Sequence, residues 1–456
     1  MSPDFQRPEV DRDDPLIGRG HERAEIERHL GAARKGRGGV VLLGGEAGVG
    51  KTRLAEVALG ASKMRILAAG ATPEAMLPYG PIVAGLRAYR RAVPDGLAEG
   101  TPLASYLALL LPELGPAPSD GDRATLVEAL LGALAMIAGR GPAVLFLDDL
   151  HWADDATLEL LPPLARALEA KPLLVLGAYR SDDMPRGHGL RRARGELRRA
   201  GRLREIGLNP LDRDETAVLA ERVLAAPPGP LLRAALYDRT EGNPFLIEEF
   251  AGALAASGRL RRTAIGIELE ADGVLPLPSG VRDAVLLRFQ GLSEAAWSAV
   301  EVAAAAGMRF DLALVAELAS DAGLEEAIEQ SVVVETELGR GAFRHALVRE
   351  TLHSEIPWTR RRALHRQLAA ALEARGGEPG ELAEHWLAAR EHDRARAALL
   401  VATERSCRLH AYRDAARSGR RALDLWPEGE DESQRLDLLE RLGHCAQLSG
   451  NLADAA

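Results

Sequence analysis

Short apolar runs alternate with helical patterns along the first half of the chain. Five runs have the length and the apolar content of buried strands: residues 40–43, 65–69, 143–147, 173–176 and 203–206. Apolar residues recur at helical spacing over 22–33, 52–59, 82–92 and 124–138. Strands that alternate with helices are typical of a parallel sheet with helices on both faces. We therefore predict an α/β domain over residues 14–210. Within it, we assign no chemistry to the long stretch 70–142.

The pattern in the middle of the chain predicts two smaller domains. Helical periodicity runs through residues 212–258, with interruptions at 226–230 and 242–244, and predicts a helical lid over 211–270. Four helical segments then precede two β-rich runs, 332–338 and 342–344. Helices followed by a two-stranded ribbon indicate a winged helix, which we assign to 271–356.

The remaining residues, 357–456, are helical and contain two segments with one pattern at a 40-residue offset. Small packing residues and a terminal proline fall where a tetratricopeptide repeat has them: Ala415, Ala422 and Pro427 in one copy, and Leu442, Gly443 and Ala455 in the next. An ordinary helical bundle is the alternative. Such repeats need about three copies to bury a continuous core, and the second copy is incomplete at Ala456. We therefore expect this region to continue beyond the present chain.

Composition limits the class of protein. A chain of 456 residues with 46% hydrophobic and 27% charged residues is typical of a globular protein with several domains. Its net charge of −10 argues against a nucleic-acid surface along the whole chain. Cys407 and Cys445 lack metal-ligand spacing and fit reduced, buried thiols. Residues 1–13 resemble a flexible polar tail, and no apolar run approaches 18 residues, so we expect a cytoplasmic protein without a membrane span.

The first predicted strand leads directly into a glycine-rich run, Gly-Glu-Ala-Gly-Val-Gly-Lys-Thr, from Gly45 to Thr52. The run matches the P-loop pattern, in which Gly45, Gly48 and Gly50 let backbone N–H groups surround a polyphosphate. Lys51 then reaches the β and γ phosphates, and the Thr52 hydroxyl is a ligand for Mg²⁺. The alternative is a glycine-rich turn that binds nothing. The chain has only four lysines beside 53 arginines, which favours a specific need for a compact ammonium at Lys51.

Two other predicted strands end in polar residues that suit nucleotide hydrolysis. The run 143–147 is followed by Asp148, which we predict to hold the Mg²⁺ shell, and by Asp149, which would orient or deprotonate the attacking water. A solvated turn aspartate is the alternative for Asp149. Arg180 follows the run 173–176 and could stabilise charge on the γ phosphate, or form a surface ion pair with Asp182 or Asp183.

Six motifs together resemble the bacterial signal-transduction ATPases of the STAND class. They are Leu-Ile-Gly-Arg (16–19), GEAGVGKTRL (45–54), VLFLDDLHWADD (144–155), LVLGAYR (174–180), EGNPFLIEEF (241–250) and FRHALVRE (343–350). More narrowly, they resemble the ATPase half of large ATP-binding LuxR-type regulators, whose ATPase domain is also described as an origin-recognition-like AAA domain. The resemblance implies an α/β P-loop NTPase followed by a helical lid, a winged helix and TPR-like repeats.

The resemblance also implies a set of nucleotide-binding residues. Ile17, Gly18 and Arg19 would border the adenine, and Pro244 would pack on the base. His345 would contact the ADP β phosphate, although the motif reads Arg-His-Ala where the family has Met-His-Asp, and a structural histidine is the alternative. Two residues of the P-loop motif complete the set: Val49 and Arg53.

These observations favour an ADP/ATP switch that binds Mg²⁺ with its nucleotide and hydrolyses ATP slowly. An inducer or protein partner would bind the C-terminal helical repeats, and the ATP state would self-associate. DNA would be bound only through an output domain that this chain lacks. A DNA-binding origin-recognition-type ATPase is one alternative, but residues 279–340 hold eleven acidic and four basic side chains, the reverse of what phosphate binding needs. A helical-repeat scaffold with a vestigial nucleotide site is another.

Overall fold

The structure of the chain is a computed structural model and forms two compact units. It describes residues 16–73, 77–94, 96–97, 103–118, 122–181, 184–256, 260–263, 266–269, 282, 285–286, 289, 291–337, 339–427, 429 and 431–449. Unit 1 comprises the described residues up to Ala24, Gly44–Ala58 and Gly207–Leu364. Unit 2 comprises Glu25–Leu43, Leu59–Ile206 and the described residues from His365 onward. The division into a flexible tail and four domains that we made from the sequence stays a prediction.

A five-stranded parallel sheet forms where the apolar runs predicted it. Its strands are β1 (Gly39–Gly45), β2 (Arg65–Gly70), β3 (Ala143–Asp148), β4 (Leu173–Arg180) and β5 (Arg204–Gly207), in the spatial order β2-β3-β4-β1-β5. Every residue of β3 and β4 is buried, as expected for strands covered on both faces. The predicted α/β P-loop fold is therefore confirmed.

Helices connect these strands and supply much of the buried core. In chain order they are α1 (Gly20–Arg34), α2 (Lys51–Gly60), α3 (Gly80–Ala92), α4 (Ala104–Leu107), α5 (Arg123–Gly139), α6 (Asp155–Ala167) and α7 (Gly189–Arg199). The stretch 70–142, to which we assigned no chemistry, contains α3, α4 and α5. Apolar side chains of these helices, including Ile82 and Leu130, are buried in one cluster with Leu145 of β3. This stretch therefore contributes to the core of unit 2.

The predicted lid contains more than helices. It begins with α8 (Arg213–Leu224), α9 (Pro230–Thr240) and α10 (Pro244–Ala256), but β6 (Leu260–Thr263) and β7 (Gly266–Leu269) then form an antiparallel hairpin. The helical pattern over 212–258 did not include these two strands, which lie near the end of the predicted lid. The hairpin has a structural role, since the Glu268 carboxylate accepts N–H groups of Leu231 and Leu232 in the first turn of α9.

The segment that we predicted to be a winged helix has three strands. It contains α11 (Glu294–Ala306), β8 (Arg309–Asp311), α12 (Leu312–Leu318), α13 (Asp321–Glu329), β9 (Val333–Glu337), β10 (Arg340–Phe343) and α14 (Ala346–Glu355). The strands pair antiparallel in the order β8-β10-β9. The sequence predicted two of these strands, β9 and β10, and β8 is the third. Only three residues long, β8 gave no periodic signal. Most of the predicted helix 281–289 lies outside the described residues, and the winged helix stays a prediction.

Five further helices follow: α15 (Trp358–Ala374), α16 (Pro379–Ala388), α17 (His392–Arg408), α18 (Tyr412–Asp424) and α19 (Glu432–Leu448). The small residues Ala415 and Ala422 are fully buried in α18, and Leu442 of α19 is buried as well. A Cβ atom on Gly419 would lie 2.5 Å from the Leu442 side chain, so α18 and α19 approach closely. Ala455 lies outside the described residues.

The two cysteines are free thiols. Cys407 in α17 is half-buried and Cys445 in α19 is buried, with their Sγ atoms 3.0 Å apart. Among the described residues, no helix is both long and apolar enough to cross a membrane.

Candidate functional site

The glycine-rich loop lies in unit 1 between the end of β1 and the start of α2. Gly48 and Gly50 have φ angles of +78° and +97°, which side chains rarely adopt. A Cβ on Gly48 would lie 2.8 Å from Asn243 Oδ1 and 2.9 Å from Phe245 Cβ, so this position needs glycine for space as well. A Cβ on Gly50 would meet no heavy atom within 4 Å, which shows open space beside the loop.

The loop residues fit a polyphosphate. Lys51 is the first residue of α2, where backbone N–H groups point out of the helix and its dipole favours an anion. The Lys51 ammonium is buried and donates to the carbonyls of Gly45 (2.9 Å) and Glu46 (2.6 Å), which keeps it at the loop. Thr52 follows in the same turn. The loop thus offers an ammonium, a hydroxyl and helix N–H groups, which are the groups that bind a nucleotide phosphate and its Mg²⁺. The open space at Gly50 leaves room for the phosphate.

Three consecutive carbonyls of the loop accept hydrogen bonds from residues distant in sequence. Asn243 Nδ2 donates to the Ala47 carbonyl (2.8 Å), and the Phe245 N–H donates to the Gly48 carbonyl (3.3 Å). The Arg19 guanidinium donates to the Val49 carbonyl at 3.1 Å. The loop is therefore bonded both to the start of α10 and to the N-terminal segment.

Arg19, which we predicted to border the adenine, contacts backbone instead of open space. Besides Val49, its guanidinium donates to the Asn209 carbonyl at 2.7 Å. Burial lowers the pKa of Arg19, while its ion pair with Glu22 opposes that shift. Ile17 packs against the buried cluster of the lid, and Gly18 lies beside the Glu215 side chain. These three residues are thus joined to the P-loop and the lid within unit 1.

Pro244 and His345 lie at the two ends of a short chain of contacts. Pro244 is the first residue of α10, and the next residue, Phe245, packs its ring against His345 with centroids 4.9 Å apart. Because the Phe245 N–H also donates to the P-loop, one residue contacts both the loop and His345. His345 directly precedes α14, so the contact joins the lid to the segment that contains the three-stranded sheet.

The residues predicted for metal binding and hydrolysis lie in unit 2 at strand ends. Asp148 is the buried last residue of β3, and its Oδ1 accepts the Asp149 N–H at 3.0 Å. Asp149 has a left-handed backbone with φ of 53° and is half-buried. Arg180 is the buried last residue of β4. Asp182 and Asp183, the alternative partners of Arg180, lie outside the described residues.

His151 is a residue that sequence reasoning missed. Its side chain is 1% exposed, and Nδ1 lies 3.9 Å from Asp149 Oδ1 and accepts the Arg180 N–H at 3.4 Å. The His151 carbonyl is 2.9 Å from Nε2 of His188. The imidazole therefore lies between the two residues that we predicted to act in hydrolysis. A lone histidine without metal-ligand spacing gave no signal, apart from its position three residues after Asp148.

Asp154 has a structural role in the same loop. Its carboxylate accepts the N–H groups of Tyr79 (2.8 Å), Gly80 (3.2 Å) and Thr157 (2.7 Å), and also the Thr157 hydroxyl. It thus caps the first turns of both α3 and α6. Burial raises the pKa of Asp154, and these hydrogen bonds oppose the rise. The Trp152 ring lies against His151, with centroids 4.9 Å apart, and remains 37% exposed.

These features define a P-loop nucleotide-binding domain. Residues 15–176 match the family described as AAA ATPase domain, so the chain carries a domain of that class, in which nucleotide binding is a family property that usually involves Mg²⁺. No group of three or more His, Cys, Asp or Glu side chains within the described residues is arranged to hold a metal ion. Mg²⁺ that is bound with a nucleotide takes only one or two protein ligands and completes its shell with phosphate oxygens and water, so it requires no such group. The Mg²⁺ roles of Thr52 and Asp148 stay predictions.

Two comparisons extend beyond this domain. The chain is 28% identical over 426 residues to an uncharacterized protein of Rhizobium meliloti (strain 1021), and covers 39% of that protein with 81% of its own length. It is also similar in fold to a signal transduction ATPase with numerous domains that has a tetratricopeptide repeat sensor, from Pyrococcus horikoshii. The TM-score is 0.54 at 14% identity, over 98% of this chain and 64% of that one. The chain thus spans less than two thirds of either relative.

Proposed function

We propose that the chain is an ATP-binding signal-transduction ATPase that works as an ADP/ATP switch, and that it is the regulatory part of a LuxR-type transcriptional regulator. One observation carries the switch: the carbonyls of Ala47, Gly48 and Val49 are bonded to the lid and to Arg19. A nucleotide that draws the N–H groups of this loop toward its phosphates acts on the same peptide units. The lid and the N-terminal segment would therefore respond to the nucleotide.

The P-loop residues have the binding roles in this proposal. Lys51 binds the β and γ phosphates, while Gly45, Gly48, Val49 and Gly50 supply the loop backbone. Bound Mg²⁺ neutralises phosphate charge, and the Thr52 hydroxyl with Asp148 would hold it. Arg53, the next residue of α2, belongs to the same nucleotide-binding turn.

The residues at the ends of β3 and β4 have the roles in hydrolysis. Asp149 orients the attacking water, and Arg180 stabilises the charge that develops on the γ phosphate. The strand order supports this assignment, since β4 lies between β3 and β1 and parallel strands have their carboxyl ends at one edge of the sheet. The buried imidazole of His151 positions the Asp149 side chain and the Arg180 backbone.

The lid and the segment after it would contact the nucleotide and respond to whether it is ADP or ATP. Pro244 packs on the adenine, which Ile17, Gly18 and Arg19 border on the other side. His345 senses the ADP β phosphate, directly or through its ring contact with Phe245. ADP would hold the lid closed, and a partner or inducer on the C-terminal helices would favour the ATP state and self-association. DNA would be bound by an output domain outside this chain.

The test measures nucleotide affinity and assembly on the purified 456-residue chain. We expect bound nucleotide after purification, and larger assemblies by light scattering with ATP than with ADP. Lys51→Ala should abolish binding, whereas Lys171→Ala, which removes an exposed lysine, should not. Asp149→Asn should spare binding and slow turnover. Identical affinity and identical assembly with the two nucleotides would contradict the switch.

A further inference from the structure

A cleft of about 320 Å³ lies within unit 2, between α6 and α7 on one side and α18 and α19 on the other. Its charged lining residues are Asp155, Arg192, Arg413, Arg417, Arg420 and Arg421. Four of the five arginines belong to α18, at spacings of three and four residues that bring them to one face of the helix. The lining thus has five guanidinium groups and one carboxylate.

The carboxylates around the cleft are shared among these arginines. Asp155 accepts from Arg192 at 2.6 Å and from Arg417, so one carboxylate faces two guanidinium groups. Arg413 pairs with Glu159 and Arg421 with Glu384, both outside the lining. Asp414 also lies 3.5 Å from Arg417, so four carboxylates hold the arginines in position, while five of the six charged residues that line the cleft are arginines.

Like charges in the cleft repel one another. Burial is the main cause that lowers the pKa of Arg192, and the nearby Arg413 charge lowers it further. Burial likewise lowers the pKa of Arg417; the Asp154 charge opposes this shift, and the Arg421 charge adds to it. An anion in the cleft would relieve this repulsion, and the side chains are accessible to one, since those of Arg192 and Arg417 are 40% and 42% exposed.

We propose that this cleft binds a small phosphorylated molecule. Guanidinium groups form paired hydrogen bonds with phosphate oxygens, and several converging arginines suit a ligand with two or more negative charges. The volume lies at the lower end of the range for small-molecule sites. A multiply charged ligand is needed because it must compete with Asp155 for Arg192 and Arg417.

The cleft adjoins the start of α6, and this contact suggests what the ligand regulates. The Asp414 carboxylate of α18 accepts the N–H groups of Asp155 and Ala156, each at 3.0 Å. Helix α6 directly follows the loop that contains Asp149 and His151. A ligand that draws Arg192 and Arg417 from Asp155 would alter this junction and change the rate of ATP hydrolysis. This regulatory step rests on the proposed function, whereas binding in the cleft does not.

Isothermal titration of the full chain with pyrophosphate tests the proposal. The Lys51→Ala background removes the P-loop ammonium, so that binding there does not interfere. We expect one remaining site whose affinity falls at least 10-fold in Arg420→Gln, and further when Arg417→Gln is added. Arg420 is exposed, so its replacement should leave the melting temperature unchanged. The matched control is Arg198→Gln, at an exposed arginine of α7 outside the cleft, which should bind as before.

Citrate at matched concentration separates phosphate from carboxylate ligands, and we expect it to bind at least 10-fold more weakly. Equal affinity for citrate would overturn the phosphate assignment. Absence of pyrophosphate binding in Lys51→Ala, or binding that the cleft variants leave unchanged, would overturn the site itself. Failure of the wild-type chain to bind ATP would instead contradict the proposed function and leave the pyrophosphate result interpretable.

Discussion

Replacement of Asn243 by alanine removes one hydrogen bond to the P-loop and one within the lid. Its Nδ2 donates to the Ala47 carbonyl at 2.8 Å, and its Oδ1 accepts the Phe245 N–H at 3.1 Å. Both bonds join neutral groups, so each contributes about 0.5–1.5 kcal/mol. Only the bond to Ala47 joins the lid to the loop, so its loss weakens this arrangement by about 0.5–1.5 kcal/mol, which corresponds to a factor of about 2–13 in an equilibrium constant.

If this arrangement is the one that binds ADP, the affinity for ADP should fall by that factor in Asn243→Ala. Titration with a fluorescent ADP analogue measures it. The matched control is Asn209→Ala, at an exposed asparagine whose contact with Arg19 uses only its backbone carbonyl. The control should bind ADP like the wild type. Equal ADP affinities in the two variants would refute the inference that the lid holds the loop.

Three further substitutions test other parts of the structure. Gly48→Ala places an alanine in left-handed backbone against Asn243 and should lower the free energy of unfolding in urea by about 2–5 kcal/mol. Its control is Gly31→Ala, in open space on α1, which should raise that free energy by about 1 kcal/mol. Asp154→Ala leaves buried N–H groups of two helices without an acceptor and should cost about 3–5 kcal/mol by the same measurement. His151→Ala should slow steady-state ATP turnover about 10- to 100-fold while ADP affinity changes by less than about 2-fold, because its imidazole positions the residues that we propose for hydrolysis. A parallel loss of ADP affinity would contradict that role.

The sheet and the P-loop could be predicted from the sequence because each depends on residues that are close together in the chain. A buried strand reads as an apolar run, and the loop needs glycine where its backbone is left-handed, as at Gly48. The contacts that join elements far apart in sequence gave no such signal. Asp154 binds Tyr79 across 75 residues, and Asp414 binds Asp155 across 259 residues. A single sequence shows an aspartate at each position but not the helix end that it caps.

Hairpin β6–β7 shows a second limit. Its strands have four residues each, and their alternation is too short to distinguish from the end of the preceding helical pattern. The bonds of Glu268 to α9 hold one strand in place. Tertiary contacts thus determine structure here that local periodicity does not predict.

Hydrogen–deuterium exchange tests most directly whether the lid responds to the nucleotide at the P-loop. The full chain is measured without nucleotide, with ADP and with ATP. We predict that ADP slows exchange both in the loop residues 45–52 and in α10, and that ATP protects the loop but protects α10 less. The Lys51→Ala chain should show neither effect. Protection confined to the loop, or equal protection of α10 by ADP and ATP, would contradict the account.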